Sequence, residues 1–219
     1  MRFSVSAVLF DLDGTLADTA PDLAYALNST LNHQGHNALP YEEIRPHVSH
    51  GAAALIRHGF GITPETPEYA AIRDYFMDTY INNICRETTI FAGMEQVLST
   101  LEQRRIHWGI VTNKPSWLTD PLMDAMALTR RAGCIISGDT LEHSKPHPAP
   151  ILHACDLMGV AANDALYIGD AERDIQAGQA AGTRTLTAMF GYLHETDDPD
   201  SWNADGKIHT PIEILDWIE

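Results

Sequence analysis

Short runs of consecutive apolar residues alternate along the chain with longer stretches in which apolar positions return every three or four residues. The runs at Val5 to Phe10, His107 to Thr112, Cys134 to Ser137, Ala165 to Ile168 and Thr183 to Met189 predict β-strands, with amphipathic segments between the later ones. Runs such as AVLF and LYIG lack the polar–apolar alternation of a sheet wetted on one face. A sheet that is apolar on both faces needs helices on both, so the pattern predicts a doubly wound, Rossmann-like α/β core with a parallel sheet.

One stretch departs from this rhythm. Residues 19 to 88 hold no convincing strand, only helical patterns at Asp22 to His33, Tyr41 to Val48, Ala52 to His58 and Tyr69 to Ile84, punctuated by Pro and Gly. A connection of about 70 residues far exceeds an ordinary strand-to-helix crossover and predicts an inserted helical domain with a small core of its own. The expected division is a core domain of residues 1–16 and 90–219 and an α-helical domain of residues 17–89. At 219 residues and 24.2 kDa, the chain is long enough to bury both.

Composition then narrows the partners. A content of 44% apolar and 20% charged residues fits a globular protein rather than a disordered or fibrous one. The net charge of −16, from 30 acids against 14 bases, repels a phosphate backbone and argues against nucleic acid or an anionic membrane as partner. A small anion is still admissible, provided a local patch of positive potential overrides the global field. Cys85, Cys134 and Cys155 are widely spaced, form no CxxC pair and fit a reducing cytoplasm. Without a run of about 18 apolar residues, the expectation is a soluble, unprocessed cytoplasmic chain.

Four motifs sit at the carboxyl ends of predicted strands, where open α/β sheets bind ligands. In Phe10-Asp11-Leu12-Asp13-Gly14-Thr15, alternate residues of extended chain point the same way, so Asp11 and Asp13 project together into the crevice. Gly14 lets the backbone turn and bring N–H groups close to an anion. Gly109-Ile110-Val111-Thr112-Asn113-Lys114 ends a strand in a hydroxyl and an amide; by itself such a pair is more often a helix N-cap, followed here by a solvated lysine. In Ser144-Lys145-Pro146-His147-Pro148-Ala149-Pro150, alternating prolines hold the chain extended. Lys145, one of three lysines in the chain, is there either a fixed cation for an anionic intermediate or an incidental charge on a rigid linker. In Tyr167-Ile168-Gly169-Asp170-Ala171-Glu172-Arg173-Asp174, Asp170 and Asp174 stand one helical turn apart and offer hard oxygen ligands suited to Mg²⁺, or simply cap a helix.

Taken in order, FDLDGT, VTNK, SKPHPAP and IGDAERD resemble the motif set of the haloacid dehalogenase-type phosphohydrolases, and the likeness spans essentially the whole chain. The resemblance implies that Asp11 is a nucleophile that forms an aspartyl phosphate, and that Asp13 protonates the leaving oxygen and then deprotonates the hydrolytic water. It further implies that Thr112 and Lys145 hold phosphoryl oxygens, with Asn113 beside them. Mg²⁺ is expected among Asp11, Asp13 (through its backbone carbonyl), Asp170 and Asp174, the last of which orients Lys145 or a metal-bound water. The helical insertion resembles the α-helical cap of the phosphoglycolate phosphatase-like branch.

Residue content separates the branches. Dehalogenases of this type lack the second acid, yet Asp13 is present; phosphonate-cleaving relatives need a lysine in the cap, yet residues 16 to 90 hold none. Mutases usually read DGV where this chain has Asp13-Gly14-Thr15. Trp108, the VTNKP run, the Gly51-Ala52 helix start, and Gly191 to Pro199 followed by Trp202 resemble the N-acetylmuramic acid 6-phosphate phosphatases. The implied substrate is a small carboxylated phosphate monoester, N-acetylmuramic acid 6-phosphate first and 2-phosphoglycolate as the alternative. A phosphomutase and a non-enzymatic phosphate-sensing module are the further readings. Within the helical insertion, Arg45, His50 and Gly51 are expected to touch substrate, with His47 and Arg57 as further donors. Arg173, where relatives often carry Asn, is expected to affect only fine tuning. Trp108, Trp117, Trp202 and Trp217 are expected as core or interface anchors, and the chain as a monomer or weak homodimer.

Overall fold

The computed structural model of the chain describes residues 2–219. Its elements follow as β1 (Ala7–Phe10), β2 (Ala17–Asp18), α1 (Ala20–His33), α2 (Tyr41–Ile44), a tight helical turn at Arg45–His50, α3 (Gly51–Phe60), α4 (Tyr69–Ile81) and β3 (Thr89–Ile90). Then come α5 (Met94–Gln103), β4 (His107–Val111), α6 (Ser116–Ala125), β5 (Ile135–Ile136), α7 (Ala149–Met158), β6 (Ala165–Gly169), α8 (Glu172–Ala181), β7 (Arg184–Ala188), β8 (Gly206–Ile208) and α9 (Ile214–Trp217).

Six strands form one parallel sheet in the order β5-β4-β1-β6-β7-β8. The central strand β1 explains the apolar run. Val8 and Phe10 join a large cluster with Trp108 and Ile110 on one face, while Ala7 and Leu9 join a second cluster with Val111 and Tyr167 on the other. All five predicted strands are present. The edge strand β8 was not anticipated, because three residues reading GKI carry no apolar run and pair only with β7.

The helices of residues 20–81 leave and rejoin the core side by side. A two-stranded antiparallel ribbon pairs Ala17 with Ile90 and Asp18 with Thr89. The buried Asp22 carboxylate reinforces it by accepting the Glu87 and Thr88 N–H groups and the Thr88 hydroxyl at 2.8–3.1 Å. Two details differ from the sequence pattern. The stretch from Tyr41 to Val48 is not one helix, since the chain tightens after Ile44 and Pro46 has no N–H to donate. The expected separate core reduces to Ile56, Tyr69 and Ile72; Leu23, Leu27, Leu55, Phe76 and Tyr80 join the large cluster that runs on from the sheet. Trp108 and Trp202 are buried and Trp217 stacks on Phe3, whereas Trp117 is half exposed and anchors no core. Among the described residues, no helix is long and apolar enough to cross a membrane.

Candidate active site

Parallel register brings the carboxyl ends of β1, β4 and β6 to one edge of the sheet. Phe10 pairs with both Ile110 and Ile168, so the residues that follow these strands, Asp11, Thr112 and Asp170, emerge within a residue or two of the same level. Asp11 is buried and its carboxylate meets Lys145 Nζ at 2.9 Å. That ammonium also lies 2.7 Å from Asp174 Oδ1 and donates to the Tyr167 hydroxyl at 2.8 Å, with no exposure of its side chain. Asn113 fixes the lysine from the backbone: its side-chain N–H donates to the Lys145 carbonyl at 2.9 Å and its Oδ1 accepts the Lys145 N–H at 3.0 Å. Lys145 is thus held, and Asn113 holds it. Behind Asp11, Gly14 turns with φ +83°, and a Cβ there would overlap the Asp170 carboxylate.

Asp11, Asp170 and Asp174 are, among the described residues, the one acidic group whose oxygens lie within 4.8 Å of each other, and all three are buried. Burial, together with the charges of Asp174 and Asp11, pushes the Asp170 carboxyl up to about 7. Its Oδ2 accepts the Tyr192 N–H at 2.7 Å and the Ser49 hydroxyl at 2.8 Å, while its Oδ1 is buried without any partner. Burial also raises Asp11; Lys145 opposes that rise and Asp174 adds to it. A buried carboxylate oxygen without a donor is costly, and a hard divalent cation satisfies it, so Asp11 and Asp170 fit Mg²⁺ by their chemistry. Asp174 is otherwise engaged: one oxygen faces Lys145 and the other accepts the Ala171 N–H at 3.0 Å at the start of α8. The Asp13 carboxylate stands outside the triad, accepting the Thr19 hydroxyl at 2.6 Å and pairing with Lys114 Nζ at 3.0 Å.

Asp11, Asp13, Thr112 and Lys114 form one wall of a cavity of about 470 Å³, and Val48 to Ala52, Phe76 and Tyr80 form the opposing wall. Lys114 is therefore no solvated helix-start charge. Burial disfavours its ammonium, but Asp13 and Tyr80 outweigh burial and keep it protonated, and it donates to the Tyr80 hydroxyl at 2.8 Å. Arg173, expected to affect only fine tuning, also lines this cavity and donates to the Ser49 carbonyl at 2.7 Å. The sequence signal for Lys114 was the scarcity of lysine; for Arg173 there was none beyond its place beside Asp174. His50 and Gly51 line the cavity, Gly51 with φ +78° at the start of α3. Arg45 does not. Its guanidinium donates to the Phe190 and Gly191 carbonyls, both at 3.0 Å, and lies 4.8 Å from the centre of the Tyr192 ring.

The family model described as haloacid dehalogenase-like hydrolase matches residues 8–188. An N-acetylmuramic acid 6-phosphate phosphatase of Pseudomonas putida is 37% identical over 213 residues, covering 97% of this chain and 96% of its own. A phosphoglycolate phosphatase of Xanthomonas campestris pv. campestris is 40% identical over 214 residues, covering 98% and 96%. Among solved structures, a protein of Haemophilus somnus described as a predicted phosphoglycolate phosphatase superposes with a TM-score of 0.86 at 24% identity, covering 99% of both chains.

Proposed function

Since the chain belongs to the haloacid dehalogenase-like hydrolases and is a phosphoric monoester hydrolase, we propose that it is a Mg²⁺-dependent phosphatase of small carboxylated phosphate monoesters, with N-acetylmuramic acid 6-phosphate as its substrate. The observation that carries the substrate is the cavity. At about 470 Å³ it has the size that admits an N-acetylated sugar acid, and a two-carbon ester would leave most of it to water. Phosphoglycolate is the second reading, favoured by the 40% identity with the Xanthomonas enzyme.

In this reading Asp11 attacks phosphorus in line, and the bond from phosphorus to the ester oxygen breaks as the Asp11 acyl phosphate forms. Asp13 gives a proton to the departing oxygen and then removes one from the water that hydrolyses the acyl phosphate, restoring both residues. The Thr19 hydroxyl and Lys114 hold Asp13 in place. Lys145, fixed by Asn113 and Asp174, receives the charge of the phosphoryl oxygens, and the Thr112 hydroxyl donates to them. Mg²⁺ held by Asp11 and Asp170 would supply the charge that lets a carboxylate approach a phosphate dianion. The helical segment 17–89 acts as a cap that excludes water through Val48, Phe76 and Tyr80.

Phosphate release is measured from N-acetylmuramic acid 6-phosphate, 2-phosphoglycolate, glucose 6-phosphate and β-glucose 1-phosphate, with Mg²⁺ and with EDTA. The expected result is Mg²⁺-dependent release with a preference of roughly a hundredfold or more in kcat/KM for the sugar acid. The same preference for phosphoglycolate selects the second reading, and isomerisation of β-glucose 1-phosphate without release overturns the phosphatase. Asp13→Asn is expected to lower kcat by roughly 10²–10⁴ while retaining the rise in Tm on adding Mg²⁺. A fully active D13N removes the role given to Asp13.

A further inference from the structure

A carboxylated ester brings a second anion, and something in the cavity must receive it. The arginines of the helical segment do not: Arg45 is engaged with the carbonyls of Phe190 and Gly191, and Arg57 is exposed and off the cavity wall. Lys145 lies between Asp11 and Asp174, and Lys114 between Asp13 and Tyr80, so both ammonium groups already face acceptors inside the protein. His50 lines the cavity, but burial and the charge of Arg173 push its imidazole below the usual range, which leaves it a neutral donor.

Arg173 is different. It sits half-buried in the first turn of α8, on the wall of the main cavity and also of the smaller one of about 220 Å³ beside Asp170 and Tyr192. It shares the wall of the first cavity with Asp11 and that of the smaller one with Asp170, which places it next to the reacting centre. One N–H of its fork donates to the Ser49 carbonyl at 2.7 Å, which tethers one corner of the guanidinium. Among the described residues it makes no other hydrogen bond, so most of its five N–H donors are free to meet a ligand. A planar, permanently charged, partly desolvated fork with free donors is the geometry that takes a carboxylate bidentately.

We propose that Arg173 is the specificity-determining residue for the carboxylate of the substrate: the core helix α8, not the helical segment, presents the guanidinium that pairs with this second anion while the phosphoryl group lies over Asp11. The inference rests on the carboxylated-ester reading given above and assigns it a receptor. The Ser49 anchor suits that role. A fork held at one corner loses less freedom when it closes on its ligand than a free side chain does.

The test compares each carboxylated ester with a counterpart that lacks the carboxyl group: N-acetylmuramic acid 6-phosphate against N-acetylglucosamine 6-phosphate, and 2-phosphoglycolate against ethyl phosphate. The readout is the ratio of kcat/KM within a pair. In Arg173→Gln that ratio is expected to fall on the order of 10- to 100-fold, mainly through KM for the carboxylated ester. Arg173→Lys, which keeps charge but not the fork, is expected to fall between the two. If Arg173 only braces the loop at Ser49, both members of a pair decline together and the ratio stays at its wild-type value, which overturns the proposal. The lysine variant, checked by its Tm, decides the matter should the glutamine variant fail to fold. A wild-type ratio near one sinks the carboxylated-ester reading and this inference with it, whereas a high wild-type ratio unchanged in both variants removes Arg173 alone.

Discussion

Asp170 keeps one oxygen on the Tyr192 amide and the Ser49 hydroxyl and leaves the other buried without a donor, so the metal-free protein holds this carboxylate at a disadvantage. Its carboxyl is raised from 3.8 to about 7, chiefly by burial. Across that window the folded chain binds a proton that the unfolded chain has already released, so this group's contribution to stability is complete below pH 3.8 and is lost as pH rises through about 7. Asp170→Asn is therefore expected to raise the Tm of the metal-free protein at pH 8, at about 2–4 °C per kcal/mol for a chain of this size. The same substitution is expected to abolish the shift that Mg²⁺ produces in the native protein. Thermal melts with EDTA and with Mg²⁺ at pH 5 and pH 8 check both, and a D170N protein that still gains stability from Mg²⁺ contradicts the assignment. At this scale much was legible in the chain: Asp11, Asp13 and Asp170 closely follow strand ends, and Lys145 is marked by the prolines that surround it in the loop between β5 and α7. Lys114 and Arg173 were not, because Tyr80 and Ser49 come from segments 34 and 124 residues away.

Among the elements, the loop after β7 joins the two halves of the site. The Tyr192 hydroxyl accepts the N–H groups of Thr19 and Ala20 at the start of α1 and donates to Asp18, all within 2.9 Å. A helix N-terminus has unpaired N–H groups, and here a tyrosine from far along the chain satisfies two of them. Arg45 grips the same loop from the turn before α3. Arg45→Met removes two charge-assisted hydrogen bonds and leaves two carbonyls without that partner, a loss of about 1–3 kcal/mol that urea denaturation reads directly. Because Arg45 stands off the cavity, KM is expected to rise by a similar factor for carboxylated and carboxyl-free esters. A selective loss on the carboxylated ester would show that Arg45 touches substrate after all. The elements invisible in the chain are the short ones. The ribbon of β2 and β3 and the edge strand β8 have two or three residues each, too few for any periodicity, and exist because a neighbouring strand supplies their hydrogen bonds.

Over the whole molecule, a net charge of −16 coexists with a site that concentrates Lys114, Lys145 and Arg173 around four carboxylates, Asp11, Asp13, Asp170 and Asp174. Local cations in a desolvated pocket act over a few ångströms, while the global field is screened by salt over about 10 Å, so the two do not conflict. The core also has an internal reporter of global opening. Burial lifts the Cys134 thiol to about 12 and the Cys155 thiol to about 11, and both are packed on the face of the sheet that holds Ala7 and Leu9. A thiol reagent at pH 8 is expected to leave these two untouched in the folded protein and to label them once the sheet opens. Added Mg²⁺ is expected to slow that labelling in urea, since a ligand of the folded state lowers the open population. Fast labelling of Cys134 without denaturant would contradict the packing of this face.

The sequence by itself determined the class of fold, the run of helices after the first strand and the three motifs that follow β1, β4 and β6; the fourth, around Lys145, lies in the loop before α7 rather than at a strand end. Each of these rests on local rules: apolar runs demand a buried strand, alternation sets facing, and Pro and Gly end elements. Only the tertiary structure decided which charges meet. It paired Lys114 with Asp13, gave Asn113 to the backbone of Lys145, withdrew Arg45 to the loop after β7 and brought Arg173 to the cavity. The physical reason is that hydrophobic periodicity is written along the chain, whereas the partner of a buried charge is fixed by desolvation and distance once distant segments pack, and no local pattern encodes either.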